Sequence, residues 1–91
     1  MYTILTPKKF LKNANRFFKK HPELRPRFAR LVEKLKNDPF EPALGLHPLS
    51  GRLKDLHAVS LTYSYRITLT LKIIEGEILL LDIGSHDEVY R

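Results

Sequence analysis

The sequence predicts an α+β protein with the element order strand, helix, helix, strand, strand, strand. Two observations predict this class: apolar residues recur at helical spacing in residues 8–37, and they alternate or run together in residues 57–83. Because both helices precede most of the strands, we expect a mostly antiparallel four-stranded sheet with a two-helix hairpin on one face. A chain of 91 residues supports one modest core, so we expect a single domain spanning residues 1–91.

The amino-terminal elements are a short strand and a basic helix. Residues 2–5 favour a strand, and Thr6 followed by Pro7 is typical of a helix cap with proline at the first helical position. An apolar stripe then predicts the helix: Phe10, Leu11, Ala14, Phe17 and Phe18. Lysine and arginine cover the rest of its surface. We expect the helix to end near Lys20, because the proline after His21 disfavours helical angles at that residue.

A second helix is expected from about Pro22 to Asn37. Its apolar stripe consists of Leu24, Phe28, Leu31, Val32 and Leu35. Pro26 is compatible with this helix because it falls near the first turn, where backbone N–H groups have no intrahelical partner. Asp38 and Pro39 end the helix, and a loop rich in proline and glycine is expected over residues 38–53.

Three strands are expected in the second half of the chain, over residues 57–62, 65–73 and 78–83. In the middle strand, apolar residues alternate strictly with a polar set: Arg66, Thr68, Thr70 and Lys72. Such alternation predicts one buried face and one solvated face, so we expect the polar set to lie on an uncovered working surface. The nearly continuous apolar run of the last strand is typical of a central strand.

The composition and the motifs exclude several function classes. Cysteine is absent, which excludes disulfides, thiolate zinc sites and cysteine nucleophiles, and suits a reducing cytoplasm. No apolar run reaches the length of a membrane span and no signal-peptide pattern opens the chain, so we expect no membrane partner. The four histidines lack metal-ligand spacing and no nucleotide-binding motif occurs, so neither a metal nor another cofactor is expected.

The net charge of +6 is concentrated in the first half of the chain. Residues 1–46 contain eleven basic and four acidic residues, whereas residues 47–91 contain five basic and six acidic residues. A basic surface of this kind favours a polyanion or an acidic protein as partner. The alternative is that the basic residues bind no partner and only form the solvated surface of two helices rich in lysine and arginine.

The carboxyl-terminal segment, residues 84–91, is the most informative part of the sequence. His86 and Tyr90 are four residues apart, so they share one face if the segment forms a helical turn after the last strand. An imidazole beside an aromatic ring suits a site that handles a nucleobase and a proton. The alternative is that Tyr90 packs on the sheet edge while His86 is an ordinary surface residue.

These residues resemble toxins of the RelE/ParE superfamily, and most closely the RelE/YafQ-type messenger-RNA interferases of type II toxin–antitoxin pairs. The resemblance rests on the two basic helices, the segment 47–51 (HPLSG), the strand residues 65–67 (YRI) and the ending 83–90 (IGSHDEVY). It implies a metal-independent endoribonuclease that cleaves messenger RNA on the ribosome. It also implies a cognate antitoxin, an acidic protein whose disordered segment folds when it binds the toxin.

The resemblance also implies roles for individual residues. Cleavage without metal uses the 2′-OH of the RNA as nucleophile, and it needs a base, an acid and cations around the phosphate. His86 is the first candidate for acid–base catalysis, His57 the second and His47 the third. Arg66 matches the family's strand arginine and is expected to bind phosphate, and Tyr90 matches a terminal aromatic residue that stacks on a base.

Further cations are expected to contact RNA phosphates: Arg52, Lys54, Lys8, Lys9 and Lys12. For three of the candidates, a purely structural or solvated role stays open as the alternative. His57 shares strand parity with Val59 and could be a core histidine, Arg66 could form an ordinary ion pair, and Lys54 could simply be solvated. Two other functions also stay open: a ParE-like toxin that binds a topoisomerase without nuclease chemistry, and a degenerate member that only binds nucleic acid or an antitoxin.

Overall fold

The computed structural model describes residues 1–90 and has the predicted α+β architecture. Arg91, the last residue of the expected domain and of the terminal motif, lies outside the described residues. The helices and strands are, in chain order, β1 (Thr3–Leu5), α1 (Lys8–Lys20), α2 (Arg25–Asn37), β2 (His47–Pro48), β3 (His57–Ser60), β4 (Tyr65–Lys72), β5 (Glu77–Ser85) and α3 (His86–Val89).

The sheet has five strands in the spatial order β1-β5-β4-β3-β2, one more than the sequence predicts. The expected antiparallel pairing holds for β2 to β5, whereas β1 runs parallel to β5. The additional strand is β2, whose residues His47 and Pro48 pair with Ala58 and His57. A two-residue strand has no measurable periodicity, and proline is tolerated there because β2 lies at the sheet edge.

The helix starts differ from those expected. Pro7 rather than Thr6 precedes α1, and no side chain caps its amino terminus. The second helix begins at Arg25 instead of Pro22, because Pro22–Leu24 form a 3₁₀ turn that leads into α2. Pro26 lies in the first turn of α2, as expected.

The helices α1 and α2 contribute most of their apolar stripes to the core that also buries one face of the sheet; the exception on α1 is Leu11, which the sequence placed in the stripe but which is 46% exposed. The rings of Phe10 and Phe18 on α1 lie 6.2 and 5.3 Å from the ring of Phe28 on α2, which joins the two helices. The core contains Phe10, Phe17, Phe18, Leu31, Leu35, Leu44, Val59, Leu61, Ile67, Leu69, Ile78 and Leu80. None of the helices described within residues 1–90 has the length and apolar character needed to cross a bilayer.

The second face of the sheet is only partly open, which corrects the expectation of an uncovered surface. Lys72 is exposed and Thr70 half-buried, but Thr68 is only 2% exposed. Ala58, the cross-strand partner of Thr68, is also buried, as is Val89 of α3. Because α3 contacts β4 and β5, the carboxyl-terminal segment covers this part of the second face.

We predict that Leu35→Ala lowers the free energy of unfolding by about 2–5 kcal/mol, because it opens a cavity in a fully buried site between α2 and the sheet. Urea unfolding followed by circular dichroism measures this change. The control is Leu11→Ala at an exposed position of α1, which should cost about 0.5 kcal/mol or less. Equal costs for the two variants would contradict the assigned core.

Candidate active site

The carboxyl-terminal segment forms the helical turn that the sequence predicts. The Ser85 Oγ accepts a hydrogen bond from the Glu88 N–H at 3.3 Å, and the Glu88 Oε1 accepts one from the Ser85 N–H at 2.8 Å. This reciprocal pair is a capping box, which satisfies two N–H groups at the start of α3. The chain therefore turns immediately after β5 and carries His86 in the first position of α3.

Gly84 lets the turn lie close to the end of β5. A Cβ atom at this position would lie 3.0 Å from the Glu88 Oε1 and 3.2 Å from the Glu88 Cβ, tighter than ordinary contact. In the register of the sheet, Gly84 lies opposite Arg66 of β4. The absence of a side chain therefore allows α3 to approach the strand pair that carries the arginine.

The rings of His86 and Tyr90 lie against each other, as their spacing predicts. Their centroids are 4.2 Å apart and the rings meet edge to face. The His86 Nδ1 lies 3.6 Å from an oxygen of Asp87, and both side chains are largely exposed, so this contact contributes little to stability. The His86 imidazole is thus accessible to a substrate while its ring packs against an aromatic neighbour.

His47 joins this pair from a distant part of the chain. Its Nδ1 lies 2.9 Å from the Gly45 carbonyl oxygen and its Nε2 lies 3.3 Å from the Tyr90 hydroxyl. A carbonyl oxygen can only accept, so Nδ1 must carry the proton; in the neutral ring, Nε2 then accepts from the hydroxyl. Gly45 adopts a left-handed conformation with φ 65°, which a glycine accommodates without strain, at the turn that leads into β2.

Arg66 lies on the sheet face that carries His47. Its pairing partner on β3 is Ser60, whose Oγ accepts a hydrogen bond of 2.8 Å from the Arg66 Nη1. Directly paired residues point to the same side of a sheet, so Arg66, Ser60 and Ala58 share a face with His47, the partner of Ala58. Within residues 1–90 Arg66 has no ion pair, which leaves its charge available to an anion.

His57 lies on the other face of the sheet. Its partner on β4 is the buried core residue Leu69, so the side chain points towards the helices, as strand parity indicates. Its Nδ1 is buried without a hydrogen-bond partner. The structure therefore brings His47, Tyr90 and His86 together, which we call the His47–Tyr90–His86 cluster, and it separates His57 from them.

The predicted phosphate-binding cations fall into two groups. Arg52 and Lys54 are exposed in the loop between β2, which carries His47, and β3. Exposed positions of α1, on the helix-covered face of the sheet, carry the other three: Lys8, Lys9 and Lys12. Sequence reasoning missed Gly45 and Ser60, because their contacts with His47 and Arg66 depend on the turn and on the strand register.

The chain is similar to solved toxin structures, although no family model and no curated protein sequence matches it. A metal-bound toxin from Helicobacter pylori is 32% identical, with a TM-score of 0.81 over 99% of this chain and 100% of that one. YafQ from E. coli is 15% identical with a TM-score of 0.80, and YafQ in the E. coli DinJ–YafQ complex is also 15% identical with a TM-score of 0.78; both cover 100% of each chain.

The fold and the similarity define a toxin of the RelE/ParE superfamily. At 32% identity over nearly the whole of both chains, this chain belongs to the RelE/YafQ-like toxin family. The more distant likeness to YafQ adds agreement in the fold alone, with the same helices packed on a mixed sheet.

We predict that neutral His47 carries its proton on Nδ1, because the Gly45 carbonyl oxygen can only accept. Long-range ¹H–¹⁵N correlation spectra of the imidazole distinguish the two tautomers. The variant Tyr90→Phe removes the partner of Nε2 and leaves the bond to Gly45, so the tautomer should be unchanged. A proton found on Nε2 of the neutral ring would refute this orientation of His47.

Proposed function

We propose that this protein is the toxin of a type II toxin–antitoxin pair and that it cleaves messenger RNA as a metal-independent endoribonuclease. The observation that carries the proposal is the His47–Tyr90–His86 cluster on the sheet face that also presents Arg66. Family membership supports the toxin assignment. We further propose that residues 1–91 form one toxin domain acting in the cytoplasm, where messenger RNA and ribosomes occur.

The proposed reaction is attack of the RNA's 2′-OH on the adjacent phosphorus, which breaks the bond to the 5′-oxygen of the next nucleotide. The Nε2 of His47 suits the base, since the Gly45 carbonyl holds the proton-bearing Nδ1 and leaves Nε2 as the accepting atom. His86 then suits the acid that gives a proton to the departing oxygen, because its imidazole is exposed and lies against the Tyr90 ring within the same cluster. His57 is assigned no step, since it points to the other face.

Arg66 and Tyr90 are proposed to hold the RNA in the reactive geometry. Ser60 takes one N–H of the Arg66 guanidinium, and the remaining donors can bind phosphate oxygens and stabilise the charge of the transition state. The Tyr90 ring can stack on a base, which contributes about 1–3 kcal/mol per base. Stacking would separate neighbouring bases and align the 2′-OH with the bond that breaks.

The ligand chemistry of the chain does not favour a metal-assisted route. The H. pylori toxin structure is described as metal-bound. In the part of this chain that the structure describes, no three side chains of histidine, aspartate, glutamate or cysteine come together as a metal-binding group. We therefore route no step of the proposed reaction through a metal ion.

The proposed partners are an acidic antitoxin and the ribosome. YafQ forms a complex with DinJ, which supports a cognate antitoxin for a chain of the same family. The basic first half of the chain would attract an acidic, disordered antitoxin segment that folds on binding. Lys8, Lys9 and Lys12 on α1 and the loop cations Arg52 and Lys54 are proposed to contact RNA phosphates on the ribosome.

We predict that His86→Ala lowers the cleavage rate on the order of 100-fold or more while the fold is retained, because it removes the proposed acid. Single-turnover cleavage of a defined messenger RNA measures the rate, and circular dichroism checks the fold. The control is His21→Ala on the helix-covered face, where the His21 ring contacts Phe17 and Tyr65; its cleavage should match the unmodified protein. Full activity of a folded His86→Ala protein would remove His86 from the mechanism.

We predict that purified protein cleaves messenger RNA in excess EDTA, because the proposed chemistry uses only histidine, arginine and tyrosine side chains. Primer extension with and without programmed ribosomes locates the cuts. Cuts on programmed ribosomes alone would support the ribosome as a required partner, whereas cuts on free RNA would exclude that requirement. Activity that disappears in EDTA and returns with a divalent ion would refute the metal-free scheme, and no cut in either reaction would favour a ParE-like binding toxin.

A further inference from the structure

A second basic surface lies between α2 and the free edge of β3. It is a groove of about 280 Å³ whose lining includes three cations, Arg27, Arg30 and Lys34. We call it the α2 groove. Because β2 pairs only with the first two residues of β3, the later part of that strand has no β2 neighbour, and Ser60 lines the groove there.

The charged residues that line the α2 groove are all basic. Arg27, Arg30 and Lys34 follow one another at helical spacing and extend over about 10 Å of α2, so they can contact more than one phosphate. None of the residues lining the groove is acidic, and within residues 1–90 none of the three cations forms an ion pair. Such a concentration of positive charge attracts a polyanion.

A second cleft differs in this respect. It has a volume of about 210 Å³ and lies between α1 and the end of β5. Asp82 and Glu88 line it together with Arg16 and Lys20, so acidic and basic groups face the same space. The purely basic charge of its lining therefore distinguishes the α2 groove as the better site for a chain of phosphates.

The α2 groove adjoins the candidate active site at Ser60. The Ser60 Oγ accepts the 2.8 Å hydrogen bond from Arg66, so one residue belongs to both surfaces. A Cβ atom at Gly45 would lie 3.6 Å from the same oxygen, and the Gly45 carbonyl holds the Nδ1 of His47. The two surfaces therefore meet at Ser60, on the unpaired edge of β3, where a strand bound at Arg66 can pass round the edge of the sheet to the groove.

An exposed aromatic ring lies near the same edge. Tyr63 occupies the turn between β3 and β4, two residues after Leu61 of the groove, and is 97% exposed. The turn is held by the Thr62 Oγ1, which accepts hydrogen bonds from the N–H groups of Ser64 and Tyr65 at 3.1 and 3.2 Å. A basic groove with an aromatic ring beside it is the combination that binds single-stranded nucleic acid.

We propose that the α2 groove binds the phosphates of the RNA strand that extends from the cleavage site on one side of the scissile bond. This inference rests on the proposed ribonuclease function and adds an RNA-binding surface that the sequence did not indicate. The link to Arg66 through Ser60 and the exposed ring of Tyr63 favour RNA over an acidic protein segment as the occupant.

The groove is tested by the fluorescence anisotropy of a labelled single-stranded RNA. Its length of ~12 nucleotides is within the site sizes of proteins that bind single-stranded nucleic acid. Methylation of every 2′-oxygen prevents cleavage by removing the nucleophile.

The double variant Arg30→Ala/Lys34→Ala removes two groove cations; Arg27 is kept because its Nε donates to the Leu61 carbonyl at 2.7 Å. The matched control, Lys36→Ala/Lys72→Ala, removes the same charge; Lys72 is six residues along β4 from Arg66, about 20 Å away.

We predict that the groove variant binds this RNA about tenfold more weakly than the control, because two phosphate contacts are lost. The slope of the logarithm of affinity against the logarithm of salt concentration should also fall by about 1.4, at ~0.7 per phosphate for single strands. Thermal unfolding confirms that both variants are folded. Equal weakening in the two variants would overturn the proposal, as would unmodified protein that does not bind the RNA.

A labelled polyglutamate peptide tests the protein alternative. If the groove variant loses affinity for the peptide but binds RNA as the control does, the groove belongs to an acidic protein partner and the proposal is overturned. Cleavage by the unmodified protein is measured separately. An active enzyme whose RNA affinity is insensitive to the groove substitutions overturns the groove alone. An inactive protein with groove-dependent RNA binding overturns the ribonuclease function and, with it, the placement of the groove beside a cleavage site, while the groove remains an RNA-binding surface.

Discussion

The packing of the carboxyl-terminal turn on the sheet is the interaction on which the candidate active site depends. The capping box of Ser85 and Glu88 starts α3 directly after β5, and Gly84 allows the close approach. Val89 is then buried near the second face of the sheet, where Thr68 is also excluded from water. Because the turn is anchored both by hydrogen bonds and by burial, the residues that follow β5 have a defined position over the sheet.

That position brings Tyr90 to His47 across a separation of 43 residues. His47 is oriented independently, since the Gly45 carbonyl accepts from its Nδ1. The hydroxyl of Tyr90 and the imidazole of His47 therefore meet from two elements that each have their own support. Catalytic geometry benefits from such support, because a hydrogen bond to one ring nitrogen determines what the other nitrogen can do.

The two faces of the sheet differ in what covers them and in which candidate residues they carry. The helices α1 and α2 bury one face, where His57 points, and the other face carries His47 and Arg66 beside α3. Adjacent residues of a strand point to opposite faces of the sheet. A shift of one residue in the pairing of β2 with β3 would therefore turn the side chain of His47 to the face that the helices cover. The pairing of β2 with β3 is thus as important for the site as the residues themselves.

Much of the fold was determined by local sequence pattern. The apolar stripes of the helices and the spacing of His86 and Tyr90 are short-range features, and the structure contains both. The alternation in β4 predicted the strand but not the burial of its polar side chains, since Thr68 is buried between two buried apolar residues. Periodicity predicts these features because side-chain direction repeats regularly along a helix or a strand. It also indicated that His57 could point to the core, and the register with Leu69 places it there.

Only the tertiary structure decided which residues form the site. The strand β2, the burial of Thr68, the contact between His47 and Tyr90 and the link from Arg66 to Ser60 all join residues whose relation is set by strand register or by the path of a turn. Such contacts arise when many weak interactions are satisfied together, so no short stretch of the sequence specifies them. The sequence determined which chemical groups are available, and the packing of α3 and β2 on the sheet determined which of them act together.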